Sequence, residues 1–329
     1  MSARTDVTHR FRAMACDVTL WVAAPHGDPA GPLHRAEAVF HRVQAACTRF
    51  DPDSPLMRAN AAPRSWHEVP DELYQAVQEA HGAYRRTGGR FDPRVLAVLR
   101  SWGYDRSLAF TGSPPELTGP AGTGRVRRLW RRPAVPAAPG RRRWRPGFDP
   151  TRRAVRLGAD PVDLGGIGKG LAVRWAAGEL AGAGPASLVE AGGDLYAAGT
   201  GPDGTGWRVA VEDPRGGTAP VAVLSLTDRA CATSSVRIRR WRVDGREVHH
   251  LVDPGSGQAA GAGLLAVTVV DTDAAAAEVW SKALFVTGRA GIRAEATAAG
   301  LAALWVDGEG TIGSSAALAP YLIWLAEQP

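Results

Sequence analysis

The sequence predicts an α+β fold in which mixed, largely antiparallel sheets carry packed helices. Three observations lead there. Apolar residues recur at helical spacing early in the chain, they alternate in short turn-bounded runs from residue 207 onward, and neither an internal repeat nor a regular βαβ succession is visible. Residues 17–23 place Val18, Leu20 and Val22 on one side, the period of a half-buried strand. Residues 33–47 set Leu33, Ala36, Val39, Phe40, Val43 and Cys47 at helical spacing, and 71–84 repeat the pattern behind Pro70, with Asp71 expected as N-cap. A further helix is predicted over 168–182, and a strand, turn and strand over 187–198 around Gly192-Gly193. Alternating runs then predict strands at 207–211, 221–226, 238–243, 248–252 and 264–270. Helices from Asp273 to Val286 and from Arg289 to Ala299, a strand over 301–306 and a helix over 315–327 are expected to close the chain.

With 329 residues, 45% of them hydrophobic, the chain can bury a large core, and residues 1–329 are expected to form a single unit, one domain or two interleaved lobes. Cys16, Cys47 and Cys231 form no C-x-x-C pair and leave an odd count, which argues against a disulfide framework or a zinc site. Residues 1–14 are polar and basic without the apolar run of a secretory signal, and no stretch approaches the roughly 18–20 apolar residues of a membrane-spanning helix. The expectation is a cytoplasmic protein that engages no membrane. The net charge of +6 is local: residues 125–153 hold eleven arginines against one acid, Asp149, a charge of +10 that leaves −4 elsewhere. Prolines punctuate that stretch, and Trp130 and Trp144 sit among the arginines, so 113–153 reads as a solvated Arg/Pro-rich insertion or β-ribbon. A nucleic-acid or partner-binding module built on this stretch is the reading from a different functional class, and nucleic acid is not the expected partner.

Residues 162–170, V-D-L-G-G-I-G-K-G, pass from strand chemistry through a glycine-rich turn into a helix. Glycines admit close approach of backbone to ligand, and amides at a helix N-terminus favour phosphate oxygens. The string is neither a Walker A loop, since no Ser or Thr follows Lys169, nor the dinucleotide G-x-G-x-x-G. On its own it is equally a turn without a ligand.

Several strings, in order, resemble the ApbE family of flavin transferases. F-R-A-M-A-C resembles F-x-x-M-G-T and puts Met14 at a flavin contact; R-F-D-P-D-S-P-L-M-R-A-N (49–60) matches Ser54 and Asn60, and G-G-R-F-D-P (88–93) matches Asp92. The 162–170 string carries Asp163, Gly165, Gly166 and Lys169, and A-G-G-D-L (191–195) carries Gly192, Gly193 and Asp194. A-C-A-T-S-S (230–235) supplies Thr233 and Ser234, and H-H-L-V-D-P-G-S-G (249–257) supplies His250 and Asp253. A-E-V-W-S-K-A-L-F-V-T-G (277–288) resembles the family's A-D-A-x-A-T-A-L-F-V-x-G. The resemblance implies an ApbE-like fold, bound FAD contacted by these residues, a divalent cation, usually magnesium, at its diphosphate, and transfer of FMN to a Thr or Ser hydroxyl of an acceptor protein with release of AMP. It makes His250 the group that accepts or positions the hydroxyl proton and sets Lys169 near the diphosphate, while Lys282, where this sequence departs from the family, is expected to face phosphate in place of the cation. Each residue keeps a plainer reading: a sheet-bonded histidine for His250, a D-P turn for Asp253, backbone capping for Asp163, Asp194, Thr233 and Ser234, a solvated helix start for Lys169, and core for Met14. His249 is expected on the opposite, exposed side of its strand.

The last string departs from the family where a cation would sit. Glu278 and Lys282 stand at the positions of Asp and Thr, four residues apart on one helix face. Glutamate still offers oxygen, which with Gly166 leaves two candidate metal ligands, but an ammonium has no lone pair to give. Ser281 lies about 100° around the helix, and Asp271 and Asp273 are either rescuing carboxylates or caps. Arg174 also replaces an Asp, and together with Lys282 it is expected to stand in for the cation's charge in one pocket. FMN transfer is the leading function. FAD binding without transfer, and FAD hydrolysis to FMN and AMP, are the alternatives.

Overall fold

The computed structural model describes residues 6–108, 110, 115–117 and 143–327. Its spine is an eight-stranded sheet whose spatial order follows chain order, every neighbouring pair antiparallel. The strands are β1 (Val7–Ala13), β2 (Cys16–Ala23), β3 (Ala186–Ala191), β4 (Asp194–Ala198), β5 (Arg229–Ser235), β6 (Leu264–Asp271), β7 (Ala302–Asp307) and β8 (Ile312–Ser314). Side-chain alternation divides the inner strands between the cores on the two faces. On β2, Val18, Leu20 and Val22 join a helix-side core, while Trp21 and Ala23 join the core on the other face.

The helix layer contains α1 (Ala30–Cys47), α2 (Pro55–Ala61), α3 (Asp71–Arg86), α4 (Leu96–Ser101), α5 (Gly168–Glu179) and α6 (Ala274–Ala298). The helical spacing read from 33–47 is the face that α1 buries. In α3 the N-cap is Pro70, not Asp71: Asp71 lies in the first turn, where its charge suits the helix dipole, and it pairs with Arg153. The two helices expected over 273–299 are one helix, α6, kinked at Gly288, whose φ of 74° only glycine adopts easily. Beyond the opposite face of the sheet lies a three-stranded sheet of Trp207–Glu212, Pro220–Leu226 and Leu322–Leu325.

That last strand corrects the helix expected over 315–327. The segment is a 3₁₀ turn, Ala316–Tyr321, followed by Leu322–Leu325 paired antiparallel with Pro220–Leu226. Pro320 removes a helical donor, and backbone pairing at a sheet edge satisfies the apolar run that follows. The expected strand at 238–243 is Arg240–Val243, paired with Arg246–His249 across the left-handed Asp244-Gly245 turn. The basic stretch from 125 to 142 lies outside the described residues. From 143 onward the chain buries Trp144 and forms the hairpin Gly147–Asp149 with Ala154–Arg156.

Two glycine positions bring the helices and turns together. A Cβ on Gly170 would lie 2.5 Å from the Ala274 carbonyl oxygen, so the start of α5 crosses the start of α6 backbone against backbone. Gly192 and Gly193, at φ of 58° and 90°, make the two-residue turn between β3 and β4.

Candidate functional site

The α5–α6 crossing places four charges in one buried group. Lys169, on the first turn of α5, hydrogen-bonds Asp194, the first residue of β4 after the Gly192-Gly193 turn, and lies 4.0 Å from Glu278 Oε1. Glu278, fully buried on α6, accepts from Gly170 N–H at 2.7 Å and from Lys282 Nζ at 3.0 Å. The Lys282 stem runs over the glycine-rich turn: a Cβ on Gly166 would lie 3.3 Å from Lys282 Cδ and 3.5 Å from Cε. Burial works against the Lys169 ammonium, yet Asp194 and then Glu278 hold its pKa above the ordinary value. Burial likewise opposes the Glu278 carboxylate, but Lys282, Lys169 and the Gly170 N–H keep its pKa below the ordinary value. At Asp194 burial prevails and the pKa rises. Two ammonium groups thus alternate with two carboxylates at the N-terminus of a helix.

His250 sits at the break between strands Arg246–His249 and Val252–Asp253. Its backbone N–H donates to the Arg239 carbonyl at 3.2 Å, and Nδ1 faces the same oxygen at 3.4 Å. A carbonyl only accepts, so Nδ1 carries the proton and Nε2 keeps its lone pair. Burial, with the nearby charges of Arg239 and Lys282, pushes the His250 pKa well below its ordinary 6.5. The imidazole is neutral. Arg239 makes no salt bridge among the described residues, and its charge also acts on Lys169 and Cys16. Sequence reading passed over Arg239, because in the run of Arg237, Arg239, Arg240 and Arg242 nothing distinguishes one from the others. His249, expected to be exposed, is instead half-buried, edge-on to Phe285 with ring centroids 6.0 Å apart, and burial lowers its pKa to about 4.

Met14 reaches the same region. A Cβ on Gly168 would lie 3.4 Å from Met14 Cε, and one on Gly192 would lie 2.8 Å from Cys16 Cβ, so the β1–β2 turn packs over the start of α5 and the β3–β4 turn. Asp163 Oδ1 accepts from Gly165 N–H at 2.8 Å, and Oδ2 pairs with Arg49 at 3.3 Å. Arg49 was also missed. It is buried, stacked 4.3 Å from the Phe50 ring and 4.2 Å from the Tyr104 ring, and its place as the first residue of the matched 49–60 string was the available signal.

Other predicted residues hold the scaffold around these groups. Ser54 caps α2 through Met57 N–H, Asn60 bonds both the N–H and the carbonyl of Val162, and Asp92 forms a two-point pair with Arg94. Asp253 closes its turn on Gly255 and Ser256. Thr233 and Ser234 are not a pair of hydroxyls facing one ligand. Strand alternation sends them to opposite faces of β5, where Thr233 bonds Thr268 at 2.9 Å and Ser234 bonds Ser281 of α6 at 2.7 Å. Nor does Arg174 share the Lys282 pocket: it pairs with Asp273 at 2.9 Å and Glu79 at 3.1 Å. Asp273 caps α6 through Ala276 N–H, and Asp271 accepts from Asp273 N–H, so neither is a free metal ligand.

A divalent cation does not fit this set. Among the described residues no group of three or more His, Cys, Asp or Glu side chains converges on a point. Glu278 spends its oxygens on Gly170 and Lys282, and the Lys282 methylenes cover Gly166, the other candidate ligand.

The family model that matches the chain is that of the ApbE family, over residues 13–305. The chain is 27% identical over 286 residues to the FAD:protein FMN transferase of Treponema pallidum, covering 83% of this chain and 76% of that protein. It is 33% identical over 263 residues to the FAD:protein FMN transferase of Chlamydia trachomatis, covering 75% and 73%. Among solved structures, the ApbE protein of Thermotoga maritima superposes with a TM-score of 0.79 at 27% identity, covering 96% of this chain and 99% of that one.

Proposed function

The chain belongs to the ApbE family, and we propose that it transfers the FMN half of FAD to a Ser or Thr hydroxyl of an acceptor protein. The observation that carries this reading is the neutral His250, its Nε2 lone pair free, beside the cationic Lys282 and Arg239. In the step we propose, the acceptor oxygen attacks the phosphorus of the FMN half and its proton passes to Nε2 of His250. A phosphoester forms as the bond from that phosphorus to the bridging oxygen breaks, and AMP leaves with the oxygen and its electron pair. The flavin's diphosphate approaches the glycine-rich turn and the N-terminus of α5, with Met14 at the flavin side.

FAD is the donor substrate, and the partner is a polypeptide bearing the accepting hydroxyl. Among the described residues no helix is long and apolar enough to cross a membrane. We place the protein in the cytoplasm on its free thiols, of which Cys47 and Cys231 are buried and pushed up to about 12 by burial. The test is incubation with FAD and an acceptor, read as in-gel flavin fluorescence and as an acceptor mass increased by one FMN. An adduct with AMP is expected. Free FMN with AMP and no adduct would make the chain a hydrolase, and intact FAD would make it a flavin-binding protein.

A further inference from the structure

We propose that the Lys282 ammonium, seated between Glu278 and the Gly166 turn with Arg239 as a second positive group, supplies the charge that neutralises the flavin's diphosphate, so that this chain binds FAD without a metal ion. The inference rests on the FAD reading above and concerns how that site handles charge.

Three observations support it. First, the position that a cation would take between an α6 carboxylate and the glycine-rich turn is filled by lysine: Nζ is 3.0 Å from Glu278 Oε1, and the side-chain stem lies over Gly166. A divalent ion needs several oxygen lone pairs at 2.0–2.6 Å, and an ammonium at that place both withholds a ligand and repels the ion. Second, the cluster is balanced internally. Asp194 and Glu278 offset Lys169 and Lys282, so none of the four is an uncompensated buried charge before ligand arrives. Third, Arg239 makes no salt bridge among the described residues, yet its charge reaches Lys169 and His250. It is the surplus cation, and an entering diphosphate would find it and the Lys282 ammonium donor that Glu278 leaves unused. Two nitrogen-borne charges, each able to donate to phosphate oxygens, replace one divalent ion at equal formal charge.

The experiment uses the whole purified chain and reads FAD affinity by quenching of flavin fluorescence, once with EDTA and once with millimolar magnesium. Manganese, added as a paramagnetic probe, is followed in parallel by electron paramagnetic resonance. The two dissociation constants are expected to agree within about twofold, and the manganese signal to stay that of the free ion with or without FAD. Lys282→Met, which keeps the stem and removes the charge, is expected to weaken FAD binding in EDTA by about tenfold or more, while Lys282→Arg keeps most of it. Affinity that collapses in EDTA and returns with magnesium overturns the inference, as does uptake of one manganese ion per chain. Wild-type affinity in Lys282→Met also overturns it. Transfer is not read, so a chain that binds FAD in EDTA but never modifies an acceptor would remove the transferase reading and leave this inference standing. A chain that binds FAD in neither buffer removes both.

Discussion

Met14 and Ala15 turn the β1–β2 hairpin with φ of 52° and 59°, both left-handed, where a β-carbon costs about 1 kcal/mol or more. Such strain is retained where it places a side chain, and here it lays Met14 over the start of α5. Ala15→Gly is therefore expected to raise stability by about 0.5–1 kcal/mol in urea unfolding, and an unchanged or lower midpoint would contradict the strained turn. At His250 the depressed pKa has a kinetic consequence. The base stays unprotonated as pH falls through 6.5, so the transfer rate should show no acid limb at the ordinary histidine position. A limb centred near 6.5 would mean that the ring is more solvated than the structure has it. His250→Ala should lower the transfer rate by about a hundredfold or more while leaving FAD affinity within a few fold, because the ring handles the proton and not the flavin. Lys282 could be recognised from the sequence because the A-L-F run sets its register against the resembled family motif, where Thr stands in its place. Arg239 could not, because the groups its charge acts on, Lys169 and His250, come from other elements, whereas Arg49 stood within the matched 49–60 string and only its stacking on Tyr104 was hidden.

Among elements, the α5–α6 crossing decides whether the site exists. Gly170 is the contact point, and Gly170→Ala would drive a methyl into the Ala274 carbonyl, costing about 1–3 kcal/mol and separating Glu278 from the Gly170 N–H. Weaker FAD binding together with a lower melting temperature is the expected outcome, and a variant that keeps both would show the crossing to be looser. Elements with clear sequence patterns were readable: α1 and α3 from their helical spacing, β2 from alternation and β6 from a short apolar, β-branched run that is buried on both faces. β1 was missed because His9 takes one of the inward positions between Val7 and Phe11 and arginines flank Phe11 on both sides, so its apolar alternation is interrupted. α2 is too short, at seven residues, to show a period. The closing segment misled for the opposite reason: Leu322–Leu325 is a short apolar run, which periodicity assigns to helix or strand alike, and only its pairing with Pro220–Leu226 settles the matter.

At the scale of the whole molecule, the α+β class was readable because alternation and helical spacing occupy separate parts of the chain. The three-layer arrangement was not, since it depends on strands far apart in sequence joining one sheet. Burying two neutral imidazoles couples the fold to pH. The unfolded chain takes up protons below about 6.5 that folded His249 refuses until about 4, so stability is full above 6.5 and lost as pH falls through that window. Urea midpoints measured between pH 7 and 4.5 should fall, and His249→Phe should flatten part of the slope. The central claim is that an acceptor hydroxyl, and not water, takes the FMN half at His250. It is tested most directly by counting products in a single reaction with FAD and acceptor, by mass spectrometry of the protein and chromatography of the nucleotides. The account predicts one AMP released for each FMN attached to a Ser or Thr, with no free FMN; AMP matched by free FMN, or FAD recovered unchanged, would contradict it.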